Sequence, residues 1–292
     1  MQDSCCPFCQ GKDLKTISCY NRKISQCLFC GLVSCASEIR DGQLIPQAQI
    51  KYETAEYLQV EKKWYQQYKK EQPYLLPRCE KRLKEIEKRQ KPGKVLDVGC
   101  GPGFFLEVAQ KHGWDVFGVD ILEEAITDAY RFLPPSHLYC GTFEKASFKD
   151  RFFDTIVFFE ALEHMVDLEA TLDKARRILK GGGLMIITVP NQKGVVSRFL
   201  GRYWFDFNRL QHLYFFGPKT LKMVLEKSGF KIIFQKNEIL YESSLESSLA
   251  KLRRYYPCLT RPSYFVEKIA KILGLKKVSI PLEHIYVIAQ KV

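Results

Sequence analysis

From Lys94 onward the apolar residues fall into short runs separated by longer stretches of helical period. Val95–Val98, Val116–Val119, His137–Cys140, Thr155–Phe159 and Leu184–Val189 are too short for helices and rich in β-branched and aromatic residues, which predicts buried strands. Between them, Phe104–His112, Glu123–Phe132 and Leu168–Leu179 space their apolar residues as a helix that buries one face. Thr220–Ser228 reads as a further helix closed by Gly229, Lys231–Gln235 starts another strand, and His284–Ala289 is the last one. Repeated strand–helix alternation implies an α/β fold, a largely parallel sheet covered by helices on both faces.

The pattern changes on either side of this block. Residues 1–36 are rich in cysteine, and residues 37–92 read as a polar, lysine-rich helical connector with tyrosines at Tyr52, Tyr57, Tyr65, Tyr68 and Tyr74. The connector's second half, Pro77–Gln90, is helical in pattern with Leu83 and Ile86 on one side, and Pro92-Gly93 breaks the chain before the α/β domain of residues 93–292. Within that domain, about 240–280 reads as a helical insertion before the last strand. Its amphipathic stretches, Leu245–Tyr256 and Tyr264–Leu273, set Lys251, Arg253, Arg254, Lys268 and Lys271 beside apolar residues. Residues 243–273 could cap a pocket, form a dimer face or rest on a membrane surface, and a simple packed insertion is the plainer reading.

Composition narrows the classes. A chain of 292 residues with 46% hydrophobic residues suits one large domain with an appendage and argues against disorder. No apolar run reaches the roughly 18–20 residues needed to cross a bilayer. Met1–Cys9 lacks a signal-like apolar stretch, so a cytoplasmic protein is the expectation. The net charge of +12 points to an anionic partner or simply to a lysine-rich surface, since the lysines form no block. Seven of the eleven cysteines lie between Cys5 and Cys35. Two C-x-x-C knuckles, Cys6/Cys9 and Cys27/Cys30, stand 17 residues apart, a spacing that suits a closed tetrahedral zinc site of structural type. Tyr20–Gln26 and Leu32–Cys35 would be the strands of this zinc ribbon, leaving Cys5, Cys19 and Cys35 surplus, with Cys5 an alternative to Cys6 and iron or a redox dithiol the alternative to zinc.

The chemistry begins where the first strand of the α/β block ends. Asp97-x-Gly99-x-Gly101-x-Gly103 runs straight into a helix, so the backbone can turn sharply and present free N–H groups to a ligand. The spacing departs from the G-x-G-x-x-G of dinucleotide sites. The next strand ends in Asp120, where a carboxylate can accept hydrogen bonds from both ribose hydroxyls and would repel a 2′-phosphate.

VLDVGCGPG, VFGVD, FFDTIVFFEALEHM and ILKGGGLMIITVPN, in that order and spacing, resemble class I S-adenosylmethionine (SAM)-dependent methyltransferases over about residues 50–240 and the final strand. The resemblance implies a Rossmann-like seven-stranded sheet and SAM as cofactor. It implies that Gly99, Gly101 and Gly103 line the methionine part of SAM, with Asp97 near its amino group and Asp120 on the ribose. Thr142 and Phe143 would flank the adenine, with Ile121 and Phe159 completing the pocket. Position 142 carries threonine where the family usually has an acidic residue.

Glu160, Glu163 and His164 follow the fourth strand, and a helical turn would bring all three onto one face. A neutral imidazole there could take a proton from an acceptor hydroxyl. Alternatively the same groups, with His212, could hold a divalent metal that acidifies the hydroxyl. The second arrangement resembles metal-assisted O-methyltransferases, including those of ubiquinone biosynthesis. Residues 191–216 add Phe199, Tyr203, Trp204, Phe205, Phe207, Tyr214, Phe215 and Phe216 with Arg198, Arg202 and Arg209, either an acceptor cover or ordinary core. The expected acceptor is a small molecule, a sugar nucleotide, glycan or lipid-linked intermediate, methylated on oxygen or carbon. RNA read by the ribbon is the alternative enzyme reading, and a non-catalytic binding module keeping the fold is the third.

Overall fold

A computed structural model describes the chain apart from residues 1–4, 20–21, 36, 41–42, 47–54, 210, 239–240, 247, 250–252, 254–259, 276 and 281–282. Its centre is a seven-stranded sheet. β6 (Lys94–Val98), β7 (Asp115–Asp120), β8 (Leu138–Cys140), β9 (Phe153–Phe159) and β10 (Leu179–Pro190) run parallel in the order β8-β7-β6-β9-β10. β15 (His284–Lys291) pairs antiparallel with β10, and β12 (Phe230–Glu238) closes that edge against β15.

The strands are continuous apolar runs because both faces are covered. Along β15, Ile285, Val287 and Ala289 enter one core while Tyr286 and Ile288 enter the other, and Met185, Ile186 and Ile187 of β10 alternate in the same way. α5 (Leu168–Ile178) and α7 (Pro218–Lys227) cover the first face. The short α6 (Val195–Leu200) lies between them in sequence, after β10. α3 (Phe104–Lys111) and α4 (Glu123–Ala129) cover the second face together with α2 (Gln72–Glu87), which packs Leu75, Cys79, Leu83 and Ile86. β6 and β9 are neighbours from which the chain winds outward in opposite directions, and ligands of open α/β sheets bind at the strand C-termini at such a switch point.

Outside the sheet the sequence pattern needs amendment. The helix placed from Pro77 begins at Gln72 and carries Pro77 in its second turn, and a separate α1 (Ala55–Lys70) precedes it. The connector is not wholly helical, since Ser37–Arg40 (β4) and Gln43–Pro46 (β5) form a hairpin. The ribbon holds an additional strand, β1 (Leu14–Cys19), paired with β2 (Arg22–Cys27). Its third strand, β3 (Val33–Ser34), pairs on its far side with β11 (Tyr214–Phe215) of the α/β domain. Ribbon and domain therefore share one four-stranded sheet. In the insertion, β13 (Tyr241–Ser244) and β14 (Lys277–Ile280) form an antiparallel pair that carries α8 (Thr260–Ile272). The predicted Leu245–Tyr256 helix lies largely outside the described residues, as does Cys258.

Candidate active site

The glycine loop leaves β6 with Gly99 (φ 77), Gly101 (φ 52) and Gly103 (φ 80) all in the left-handed region. At Gly103 the requirement is doubled, because a Cβ would lie 2.6 Å from Cζ of Phe132. Asp120 braces the loop from β7. Its Oδ2 accepts the Gly101 N–H at 2.8 Å and its Oδ1 accepts the Leu122 N–H at 2.9 Å. A carboxylate has about four acceptor sites, so capacity remains for ligand hydroxyls. Asp97 is 3% exposed, and its Oδ1 has no hydrogen-bond partner among the described residues. Burial first, then the Asp120 charge, raise its pKa to about 8. A buried carboxylate of this kind suits a cationic ligand group.

Two cavities meet at this loop. One of about 210 Å³ is lined by Asp120, Ile121, Thr142, Phe143, Ala161 and Met165, among others. The other, about 290 Å³, is lined by Tyr65, Tyr68, Glu71, Arg78, Arg82, Asp97, Phe159, Glu163, Phe205, Arg209, Ser243 and His284, among others. Gly99, Asp120, Glu160 and His164 border both. Tyr65 and Tyr68 come from α1, which is tied down by Tyr65 and Lys69 on Asp128 and by Tyr68 stacked on Phe104 at 5.7 Å. The sequence showed the tyrosines within a helical connector but not that this helix brings them over the cofactor loop. Glu71, at the α1–α2 junction, accepts hydrogen bonds from Ser243 and Ser244 and so joins the insertion to the same wall.

The residues after β9 separate into two sets. Leu162–His164 form a 3-10 turn, and Glu163, His164 and His212 offer ligand atoms all within 4.8 Å of one another. Glu163 is 1% exposed and neither of its carboxylate oxygens has a hydrogen-bond partner among the described residues. Burial, reinforced by the nearby Glu160 and Asp206, pushes its pKa well above the carboxylate range. Burial and the Arg209 guanidinium push the His164 imidazole far down, so it is neutral, and it is hydrogen-bonded to the Gln211 backbone. Two imidazoles and a buried carboxylate without a hydrogen-bond partner among the described residues are the donor set of a divalent transition-metal site. Glu160 does not join them. Its backbone is left-handed (φ 57), and its carboxylate lies 3.5 Å from Arg82 and 3.8 Å from Arg78.

The ribbon cysteines do converge. Cys6, Cys9, Cys27 and Cys30 place their sulfurs within 4.8 Å of one another, with Cys6–Cys30 at 3.6 Å and Cys9–Cys27 at 3.5 Å. The edge of a tetrahedron of thiolates around zinc is about 3.8 Å, and a disulfide is about 2.05 Å, so the spacing matches a shared ion and not a bond. Of the aromatic–arginine segment, Trp204, Phe207, Tyr214, Phe215 and Phe216 are core. Phe205 and Arg209 line the larger cavity, while Phe199 and Tyr203 face outward.

Sheet order, glycine loop and paired cavities define a Rossmann-like methyltransferase. The methyltransferase domain family matches residues 68–235, more than half of the chain, and the chain belongs to that family, whose cofactor is SAM. It is 32% identical over 171 residues to the human mitochondrial ubiquinone biosynthesis O-methyltransferase, covering 51% of this chain and 46% of that protein. The Nitrobacter winogradskyi ubiquinone biosynthesis O-methyltransferase is 30% identical over 152 residues, 49% of this chain and 58% of that one. The chain thus spans about half the length of these curated relatives. Among solved structures, a SAM-dependent methyltransferase from Archaeoglobus fulgidus superposes with a TM-score of 0.50 at 23% identity, over 74% of this chain and 94% of its own. The YcgJ protein of Bacillus subtilis gives 0.52 at 17%, over 73% and 98%. At such identities these two establish the fold alone.

Proposed function

We propose that the chain transfers the methyl group of SAM to a hydroxyl of a small, lipid-linked acceptor. The observation that carries this reading is the junction of the two cavities at Gly99, Asp120, Glu160 and His164. Asp97 would hold the SAM ammonium, the Gly99–Gly103 loop its carboxylate end, Asp120 the ribose, and Ile121, Thr142, Phe143 and Phe159 the adenosine surroundings. Bound there, SAM supplies an electrophilic methyl on a sulfonium. Glu163, His164 and His212 would hold a divalent ion, which supplies a Lewis acid that acidifies the acceptor hydroxyl. As the C–O bond forms, the hydroxyl proton must leave, and Glu160 is the carboxylate at the junction placed to receive it. Phe159 and Phe205 keep water from the reacting atoms.

The relatives' names favour O-methylation of a small molecule over RNA, and so does the ribbon. Its outer strand is already paired with β11, and Cys6, Phe8, Cys27 and Leu32 share the domain core. A closed four-cysteine zinc site in that position is structural. Contact with a membrane would suit a lipid-linked acceptor. No helix of the described residues is long and apolar enough to span a bilayer. α8, however, packs only Ser263 and Ala270 fully and exposes Phe265 (67%), Ile269 (41%) and Ile272 (77%) beside Lys268 and Lys271, with Leu273 (65%) exposed just past its end. That is the form of a helix lying in an anionic interface.

Calorimetry with SAM and S-adenosylhomocysteine tests the cofactor half. Asp120→Ala removes charge-assisted hydrogen bonds worth about 1.5–3 kcal/mol each and should weaken both ligands by at least tenfold. Equal affinity in the variant would remove Asp120 from the site. For the acceptor, label from methyl-tritiated SAM should enter an organic-soluble fraction in a metal-dependent way; label in RNA would reject the reading. Full activity after metal depletion would leave His164 as the base and discard the catalytic ion.

A further inference from the structure

The ribbon and the imidazole cluster are joined by a short, unbroken run of backbone bonds. β3 pairs with β11 in the register Val33 to Phe215 and Ser34 to Tyr214. One residue further on, the Cys35 N–H donates to the Leu213 carbonyl at 2.8 Å, and the Leu213 N–H donates to the Glu163 carbonyl at 2.8 Å. Leu213 is thus clamped between the ribbon and the residue that carries the buried carboxylate, and its preceding neighbour is His212. The side chains repeat the connection. Cys19, Ile24, Val33 and Cys35 of the ribbon form one cluster with Trp204, Phe207 and Phe215, so the 204–215 segment is packed against the ribbon on both sides of His212. The thiolate cluster sets the other end. Cys27 ends β2, the Cys27 N–H donates to Leu32 O at 2.9 Å, and Val33 follows directly.

We propose that the four-cysteine site is a positioning element for the imidazole site: its metal fixes β3, β3 fixes Leu213, and Leu213 fixes the spacing of His212 from Glu163 and His164. Divalent-ion affinity at the second site then depends on occupancy of the first. This rests on the reading of Glu163, His164 and His212 as ligands. Its general basis is that groups which orient metal ligands govern affinity strongly, about 10- to 100-fold when altered. A hydrogen-bonded strand pair is a stiff means of transmitting such orientation, since both backbones must move together.

The test uses the zinc-loaded full chain and Mn²⁺ alone as probe, because thiolates select zinc whereas imidazole and carboxylate accept Mn²⁺. Loss of the free Mn²⁺ electron paramagnetic resonance signal reports binding, and calorimetry with S-adenosylhomocysteine reports the intact cofactor pocket. Wild type should bind Mn²⁺ and His212→Ala should not. In Cys27→Ser/Cys30→Ser, Mn²⁺ affinity should fall about 10- to 100-fold with S-adenosylhomocysteine affinity nearly unchanged. Should that variant fail to fold, Cys35→Pro deletes the N–H that the Leu213 carbonyl accepts and should give the same divergence, whereas Cys35→Ala, which also loses the buried thiol but keeps that N–H, should retain wild-type Mn²⁺ affinity. Undiminished Mn²⁺ affinity in the altered ribbons would overturn the inference and leave the second site standing. Parallel loss of both ligands would also overturn it, since the ribbon would then be supporting the whole domain. Wild type that binds S-adenosylhomocysteine but not Mn²⁺ would reject the ligand set itself, and the inference with it.

Discussion

Replacing Asp97 by asparagine should make the ligand-free protein more stable while weakening its hold on SAM. The carboxyl is 3% exposed and its pKa stands at about 8, against an ordinary value of 3.8. The folded state therefore keeps a proton that the unfolded chain releases. Below pH 3.8 both states are protonated and the group's contribution to stability is complete. As pH rises, that contribution falls by about 1.4 kcal/mol per unit until the folded pKa is passed. At pH 7 roughly three units have been crossed, so the penalty is about 4 kcal/mol. Asparagine has the shape of the neutral acid and nothing to ionise, so Asp97→Asn should recover up to about that amount. In the folded protein the carboxyl must ionise before it can pair with a ligand ammonium. SAM affinity should accordingly weaken about tenfold per unit below pH 8, with proton release on binding. Urea unfolding of both proteins at pH 5 and pH 8, with calorimetry in two buffers of different ionisation enthalpy, separates these effects. An asparagine variant no more stable than wild type, with the same pH slope, would refute the reasoning.

Three further outcomes follow from packing and charge. Gly103→Ala forces a side chain into a left-handed residue against Phe132, which should cost about 1–2 kcal/mol from the backbone alone; calorimetric melting should show a midpoint lower by several degrees, and an unchanged midpoint contradicts the loop geometry. Arg82 is 4% exposed and bonded to the half-buried Glu238 at 2.8 Å, so Arg82→Met removes a charge-assisted hydrogen bond and should destabilise by about 1.5–3 kcal/mol in urea. Against its burial, Arg82 holds the Glu238 carboxyl below the usual range, a stabilisation present at neutral pH and lost in acid, so the variant's deficit should shrink at low pH. Phe265→Glu with Ile272→Glu should abolish sedimentation with anionic vesicles and leave S-adenosylhomocysteine affinity intact; retained sedimentation would clear α8 of that role.

The sheet was legible because strands buried on both faces leave unbroken apolar runs, and the cofactor loop because three closely spaced glycines have few other uses. Cysteine knuckles are equally visible. What could not be read was pairing between distant short segments. β3 and β11 are two residues each, too short to show a period, and they lie too far apart in sequence for any local rule to join them. β10 shows the converse. Its pairing with β9 already begins at Leu179↔Phe153 and resumes at Leu184, across three glycines that lie ahead of the strand predicted at Leu184–Val189. The bounds of α1 within the helical connector escaped for a third reason: it is polar and lysine-rich, and its Tyr65 and Tyr68 face a pocket wall instead of the main core.

The proposed catalytic cluster was visible as residue types but not as a shape, and the difference bears on the proposed mechanism. A regular helical turn would have put Glu160, Glu163 and His164 on one face. Instead the chain turns left-handed at Glu160 and 3-10 at Leu162–His164. A left-handed glutamate costs about 1–2 kcal/mol where a glycine would cost almost nothing. The conformation is held by the Glu160 N–H bonded to Thr188 O at 2.8 Å and by Arg78 and Arg82 beside the carboxylate. A strained residue kept in place from two sides is characteristic of functional positions. Here the strain separates two carboxylates that, on the proposed reading of the cluster, would otherwise crowd one ion. Glu163 stays with the two imidazoles, and Glu160 is left at the seam of the cavities, the position from which the proposed mechanism has it receive the acceptor's proton. Glu160→Gln keeps the arginine contacts but cannot take that proton, so it should lower turnover far more than it lowers affinity for either substrate.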